Sequence, residues 1–163
     1  MITLGGLQPM VTNFPFTEST PPPNYPPSEL QAIQSAQKDD HIFFACSGNS
    51  DLGVDGQIQS WDVFYHTKES IFTDFQTTPA KPWHIIKSPI TNEIFVSLRG
   101  TSNGNGGVAC LRYDAYGNLT PKWETTGESF KLMHGITVSA DGARVYASSA
   151  GDGKIHIFDF NMK

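Results

Sequence analysis

The chain has 163 residues, a formal net charge of −5 at pH 7, 17% charged residues and 12% aromatic residues. This length and composition are typical of a folded domain with a hydrophobic core and exclude a disordered chain. The negative charge gives no support for a nucleic-acid partner, since phosphate binding needs clustered Lys and Arg. No run of about 18 apolar residues is present, so no membrane span is predicted.

The first residues of the chain give two strand candidates. Residues 1–6 carry no basic segment followed by a long apolar run, so they do not read as a signal peptide. We expect them to form an outer strand that belongs to a neighbouring structural unit. Leu7–Pro15 then follow as the first strand of the next unit.

Residues 17–40 are interpreted as an insertion into this first unit. Its proline-rich run, Pro21–Pro27, favours an extended polyproline-like chain. Ser28 has the character of a helix N-cap, and Glu29–Ala36 are predicted to form a short helix. The insertion could be a strap over the protein's own surface or an arm that binds a partner; the strap is favoured.

An internal repeat is the main signal in the sequence. Three segments begin with a β-branched residue and an aromatic residue, contain a small residue soon after, and end in glycine: Ile42–Gly48, Ile94–Gly100 and Val145–Gly151. Their closing glycines are 52 and then 51 residues apart. A regular spacing of this kind indicates a repeat architecture.

Other strands of the repeat flank these segments. Three later strands each end in an aromatic residue and Asp: Gly56–Asp62, Val108–Asp114 and Gly153–Asp159. Two earlier strands, Lys81–Pro89 and Lys131–Ser139, resemble each other and place His84 and His134 50 residues apart. Fourth strands are predicted at Ser70–Phe75 and Leu119–Thr126.

Four antiparallel strands every 40 to 52 residues are typical of a β-propeller blade. An all-β propeller segment is favoured over a β-sandwich, which would not need the repeated aromatic-Asp ending. The predicted organisation of residues 1–163 as a partial propeller is as follows: 1–6, outer strand of a neighbouring blade; 7–76, blade one with the insertion 17–40; 77–127, blade two; and 128–163, blade three without its outer strand.

Three blades leave the predicted ring incomplete, since propellers close with four to eight. The open blade face and strand edges would invite association. Either a second copy of the chain joins head to tail, or other propeller blades complete the ring; the second possibility is slightly favoured.

Several motifs of the third unit resemble the YVTN/lactonase-like repeat, which is related to NHL and WD40-like repeats. They are His134–Ile136, Ser139–Gly142, Val145–Ser148 and Gly153–Asp159. The resemblance implies a propeller fold, which is found in sugar-lactone hydrolases, secreted binding proteins and haem-bearing periplasmic enzymes. It also implies an extracytoplasmic location, periplasmic or secreted. It specifies the fold strongly and the activity weakly.

Three side chains are candidate ligand-binding residues at the rim of the central channel. His84 and His134 lie near the starts of first strands, and Arg99 lies at the end of a second strand on the same side. Imidazole and guanidinium groups there could hold a metal or an anion. The alternative is that each histidine packs against its neighbour and forms a hydrogen bond with the backbone.

No cofactor is predicted, although calcium is possible. Asp51 and Asp55 stand four apart in a glycine-containing loop, and oxygen-rich loops favour calcium. The loop lacks the closing Glu of a calcium-binding loop, and turn chemistry also explains its glycines. Cys46 and Cys110 are expected to be buried free thiols rather than a disulfide.

The sequence therefore predicts a binding or assembly module that completes a ring with another copy or with other blades. The alternative is part of a lactonase-like or redox propeller enzyme with its site on the channel rim. No arrangement of nucleophile and base is recognisable, so a catalytic role is not favoured.

Overall fold

The computed structural model describes residues 30–36, 41–48, 55–65, 67–76 and 80–159. Eleven strands and no helix lie within these ranges, so nothing there is a helix long and apolar enough to cross a membrane. The strands are β1 (Leu30–Ala36), β2 (His41–Cys46), β3 (Gln57–Asp62), β4 (Lys68–Phe72), β5 (Pro82–Lys87), β6 (Glu93–Leu98), β7 (Gly106–Tyr113), β8 (Leu119–Gly127), β9 (Met133–Val138), β10 (Arg144–Ser149) and β11 (Lys154–Asp159).

The strands form three antiparallel sheets, and each sheet follows chain order. β1 to β4 form the first sheet, β5 to β8 the second, and β9 to β11 the third. The first strands lie side by side, β1 next to β5 and β5 next to β9, whereas the fourth strands β4 and β8 touch much less. Sheets that converge at their first strands and splay at their last are propeller blades. The predicted all-β, incomplete propeller is confirmed.

The predicted helix over Glu29–Ala36 is wrong. Leu30–Ala36 instead form β1, which pairs antiparallel with β2 from Ala36↔His41 to Leu30↔Cys46. A helix of eight residues is marginal by itself, and the neighbouring strand offers the backbone a full set of hydrogen bonds. The predicted strands at 1–6 and 7–15, and the proline-rich part of the insertion, lie outside the described residues.

Each first strand carries one extra residue near its start, a β-bulge that recurs in all three sheets. The pairs on either side of it are Leu30↔Cys46 and Ala32↔Ala45, Pro82↔Leu98 and His84↔Ser97, and Met133↔Ser149 and Ile136↔Ala147. In the third sheet the Gly135 backbone N–H binds the Ser148 hydroxyl, as the His84 N–H binds Ser97 in the second. The extra residues are therefore Gln31, Trp83 and His134.

The core lies between neighbouring sheets. We call the face that a sheet turns toward the next sheet in chain order its forward face, and the opposite one its rear face. The first boundary buries Phe43, Ala45 and Ile58 of the first sheet against Ile94, Val96, Leu98 and Leu111 of the second. The second buries Phe95, Val108 and Cys110 against Met133, Ile136, Val145 and Ala147. Each large apolar side chain buried in this way contributes about 1.5–3 kcal/mol.

Both cysteines are buried thiols outside any disulfide, as the sequence predicted. Burial raises the pKa of the Cys110 thiol to about 12, and the nearby carboxylate of Glu93 adds to this effect. Cys110 is therefore a neutral, unreactive packing residue of the second boundary.

Candidate functional site

The three predicted rim residues lie on one edge of the sheets. We call it the upper edge; here the first strands β5 and β9 begin and the second strands β6 and β10 end. The Arg99 backbone ties two sheets together at this edge. Its N–H donates to the Lys81 carbonyl oxygen at 2.9 Å, and its own carbonyl accepts the Met133 N–H at 2.8 Å.

An aromatic and cationic cluster forms on this upper edge. The Arg99 guanidinium carbon lies 3.9 Å from the centre of the Trp83 ring. The Trp83 and His134 rings are 5.7 Å apart between centres, at 56° to each other. His134 is exposed, while Trp83 and Arg99 are partly buried. We call Trp83, His84, Arg99 and His134 the rim cluster; the Arg99–Trp83 contact in it is a cation–π pair.

His84 makes a defined hydrogen bond to the neighbouring sheet. Its Nδ1 accepts the backbone N–H of Ile136 at 3.3 Å, so a neutral ring carries its proton on Nε2. Partial burial, followed by the nearby His134, lowers the pKa of His84 below 6.5. The bond needs an unprotonated Nδ1, so the lowered pKa and the geometry agree.

Ser97 connects the two histidine-bearing strands from underneath. Its side chain is fully buried, accepts the His84 backbone N–H at 3.1 Å and donates to the His134 carbonyl oxygen at 2.7 Å. Ser148 is its counterpart in the third sheet. It accepts the Gly135 N–H at 2.9 Å but is only partly buried. Ser97 therefore sets the spacing of the rim cluster across a sheet boundary.

The structure changes the predicted equivalence of the two histidines. The sequence alignment pairs His84 with His134, 50 residues apart. The bulges show instead that Trp83 in the second sheet occupies the position that His134 occupies in the third. The residue of the third sheet that corresponds to His84 is Gly135. Trp83 is therefore a rim residue that the sequence analysis missed. The signal was present, because Trp83 and His134 are 51 residues apart, the same spacing as Gly100 and Gly151.

Only one of the two predicted calcium residues lies among the residues that the structure describes. Asp51 lies outside the described residues. Asp55 accepts the Ala80 backbone N–H through Oδ1 at 2.8 Å, a bond that fixes the connection between the first and second sheets. No cluster of three or more metal-ligating side chains occurs in the described part of the chain. Calcium binding by this loop stays a prediction.

A buried carboxylate lies on the opposite, lower edge. Glu93 Oε1 binds Lys122 Nζ at 2.5 Å and an Arg112 guanidinium nitrogen at 3.3 Å, and Thr91 donates to Oε2. Burial raises the pKa of Glu93, but the hydrogen bonds from Lys122 and Thr91 outweigh it and leave the pKa lowered. The carboxylate is thus occupied by its own partners, which marks it as structural.

A comparison with solved structures found many chains with a similar fold, and three of them illustrate the range. A candidate 6-phosphogluconolactonase from Bacteroides uniformis has a TM-score of 0.63 and 17% identity over 83% of this chain and 38% of its own. Kuenenia stuttgartiensis hydrazine synthase has a TM-score of 0.59 and 12% identity over 80% and 39%. A Lactobacillus plantarum protein has a TM-score of 0.57 and 18% identity over 81% and 41%.

Such low identities show the fold alone. No protein-family model matches the chain, and no curated protein matches it either. The chain spans 38% to 41% of the length of the three similar structures. The rim cluster has therefore to be interpreted from its own chemistry.

Replacing Ser97 should destabilise the protein more than replacing its counterpart. We expect Ser97→Ala to lower the free energy of unfolding by about 1–3 kcal/mol, because the His84 N–H and His134 carbonyl lose a buried partner. Ser148→Ala should cost about 1 kcal/mol or less, since water can reach its site. Urea denaturation measures both, and equal losses would contradict the bridging role of Ser97.

Stability should depend on the protonation of His84. The pKa of His84 is lowered in the folded state, so its neutral ring contributes to the free energy of unfolding. This contribution is complete above pH 6.5 and is lost as the pH falls through the folded-state pKa. His84→Gln should remove this pH-dependent part of the stability. His134→Gln should keep most of it, because burial lowers the pKa of His84 more than the nearby His134 does. Denaturation between about pH 8 and pH 5 tests this; identical curves for wild type and His84→Gln would refute it.

Proposed function

We propose that this chain is an assembly module, a group of propeller blades that docks further blades through the forward face of its third sheet. The observation that carries the proposal is the exposure of two isoleucines on that face. Ile155 is 70% exposed and Ile157 is 61% exposed. Large exposed apolar side chains that are adjacent on one sheet face are typical of interaction sites.

The same positions are buried in the other two sheets. Ile155 pairs with Ser148 in the third sheet, as Val108 pairs with Ser97 in the second and Ile58 with Ala45 in the first. Val108 and Ile58 are both 0% exposed. In two sheets this surface is therefore a blade-packing face, and in the third the same surface has no neighbour among the described residues.

The chemistry of the face and edge favours a further blade as the occupant. Within the described residues β11 is the last strand of its sheet, so its outer edge is available for pairing. A head-to-tail second copy would need the rear face of the first sheet, yet Phe44, Cys46 and Trp61 on that face are already buried. This burial supports blades from elsewhere over a second copy.

Removing the apolar character of the face should abolish association. We expect Ile155→Asp/Ile157→Asp to remain a 17.9 kDa monomer by light scattering, with thermal stability unchanged, because both side chains are exposed in the chain alone. The wild-type chain should form larger species through the same face. Ile71→Asp, at an exposed isoleucine on β4, is the matched control and should associate like wild type.

The mass of the wild-type species separates the possible occupants. A defined species of twice 17.9 kDa would favour two copies in one ring. A heterogeneous distribution that becomes monomeric only in the double variant would favour missing blades. A wild-type chain that stays a monomer at high concentration would exclude two copies in one ring and leave blades from elsewhere as the occupant. An associated species of the same mass in wild type and in Ile155→Asp/Ile157→Asp would contradict the docking role of this face.

A second candidate function is that of a propeller enzyme, lactonase-like or redox. It is supported by the similarity in fold to the candidate 6-phosphogluconolactonase and by the rim cluster on the upper edge. The three similar structures have different names, so the fold does not choose a reaction.

The enzyme candidate makes different demands on the histidines. If it is correct, His84→Ala/His134→Ala should lose most turnover of a phosphorylated sugar lactone while circular dichroism stays unchanged. For an assembly module the same double variant should leave the solution mass unchanged. Absence of lactone turnover in the wild-type chain and in its assembled species would exclude the lactonase candidate.

A further inference from the structure

Arg99 holds a positive charge on the upper edge without a carboxylate partner in the described part of the chain. The other two arginines in this part are ion-paired, Arg112 with Glu93 and Arg144 with Asp159. The only interaction of the Arg99 guanidinium found there is its stacking on Trp83 at 3.9 Å. Since the indole covers one side, the N–H donors of Arg99 are left for another acceptor.

The rim cluster offers a second hydrogen-bond donor besides Arg99. His84 uses Nδ1 to accept the Ile136 N–H, so its Nε2–H is left as a donor. The backbone carbonyl oxygens of Lys81 and Lys131 on this edge already accept hydrogen bonds, from the Arg99 N–H and the Ser149 hydroxyl. Asp55 on this edge accepts the Ala80 N–H through Oδ1, and Asp152 pairs with Lys154 through Oδ2.

The backbone of the site is fixed before any ligand arrives. The backbone N–H of Arg99 donates a hydrogen bond to Lys81, and its carbonyl oxygen accepts one from Met133. Ser97 joins the His84 and His134 strands across the sheet boundary. Such preorganisation lowers the entropic cost of binding a small ligand.

We propose that the rim cluster binds a small oxyanion, the carboxylate or phosphate group of a small molecule, with Arg99 as the main donor. Trp83 orients the guanidinium, and His84 and His134 border the same open surface. Guanidinium donors match carboxylate and phosphate oxygens in geometry, often through two parallel hydrogen bonds. The inference is independent of ring assembly, because all four residues belong to two sheets of this chain.

Titration of the full chain with sodium acetate and with sodium phosphate tests this, using sodium chloride at matched ionic strength. The readout is the NMR signal of the Trp83 indole N–H, assigned with Trp83→Phe. We expect saturable shifts with one of the two oxyanions and none with chloride, with a dissociation constant on the order of 1 mM. Whether acetate or phosphate saturates at the lower concentration identifies the preferred headgroup.

Arg99→Gln should weaken the binding about tenfold or more, since it removes a charged donor. Arg112→Gln, on the lower edge of the same sheet, removes the same charge and should bind like wild type. Arg99→Lys keeps the charge but loses the planar fork, and should weaken binding to a smaller extent; it also serves if Arg99→Gln does not fold. Equal shifts in wild type, Arg99→Gln and Arg99→Lys, or a response that chloride reproduces, would overturn the proposal.

Discussion

Packing of one apolar sheet face against the next is the interaction on which the rest of this structure depends. No single sheet of three or four strands can bury both of its faces, so each needs a neighbour on either side. The first and second boundaries meet this need with Phe43, Ile58, Phe95 and Val108 on the forward faces. At the third sheet the same requirement is unmet, and Ile155 and Ile157 face solvent.

The inter-sheet packing also builds the upper edge. A bulge at the start of each first strand takes one residue out of the regular pairing, which redirects side chains at the upper edge. In the second and third sheets these residues are Trp83 and His134, which contact each other across the boundary. Ser97 and the His84 ring join the same two strands with hydrogen bonds. Stability and the candidate site therefore share the same contacts.

The two proposed roles use different surfaces. Assembly uses the forward face and free edge of the third sheet, and ligand binding uses the upper edge of the second and third sheets. A ring completed by further blades would enclose the channel beside Arg99 and lower the local dielectric, which strengthens charge-assisted hydrogen bonds. The assembly and the binding site can thus reinforce each other without sharing residues.

The sequence by itself determined the repeat, the all-β class and the three blades, because the spacing of Gly48, Gly100 and Gly151 and the strand patterns are local properties. It also indicated His84, His134 and Arg99 as neighbours on one edge. Tertiary structure alone decided that Leu30–Ala36 are a strand, since pairing with β2 overrides a weak helix propensity. It also decided that Trp83 is the counterpart of His134. A bulge shifts register by one residue, and only the strand pairing reveals where that shift occurs.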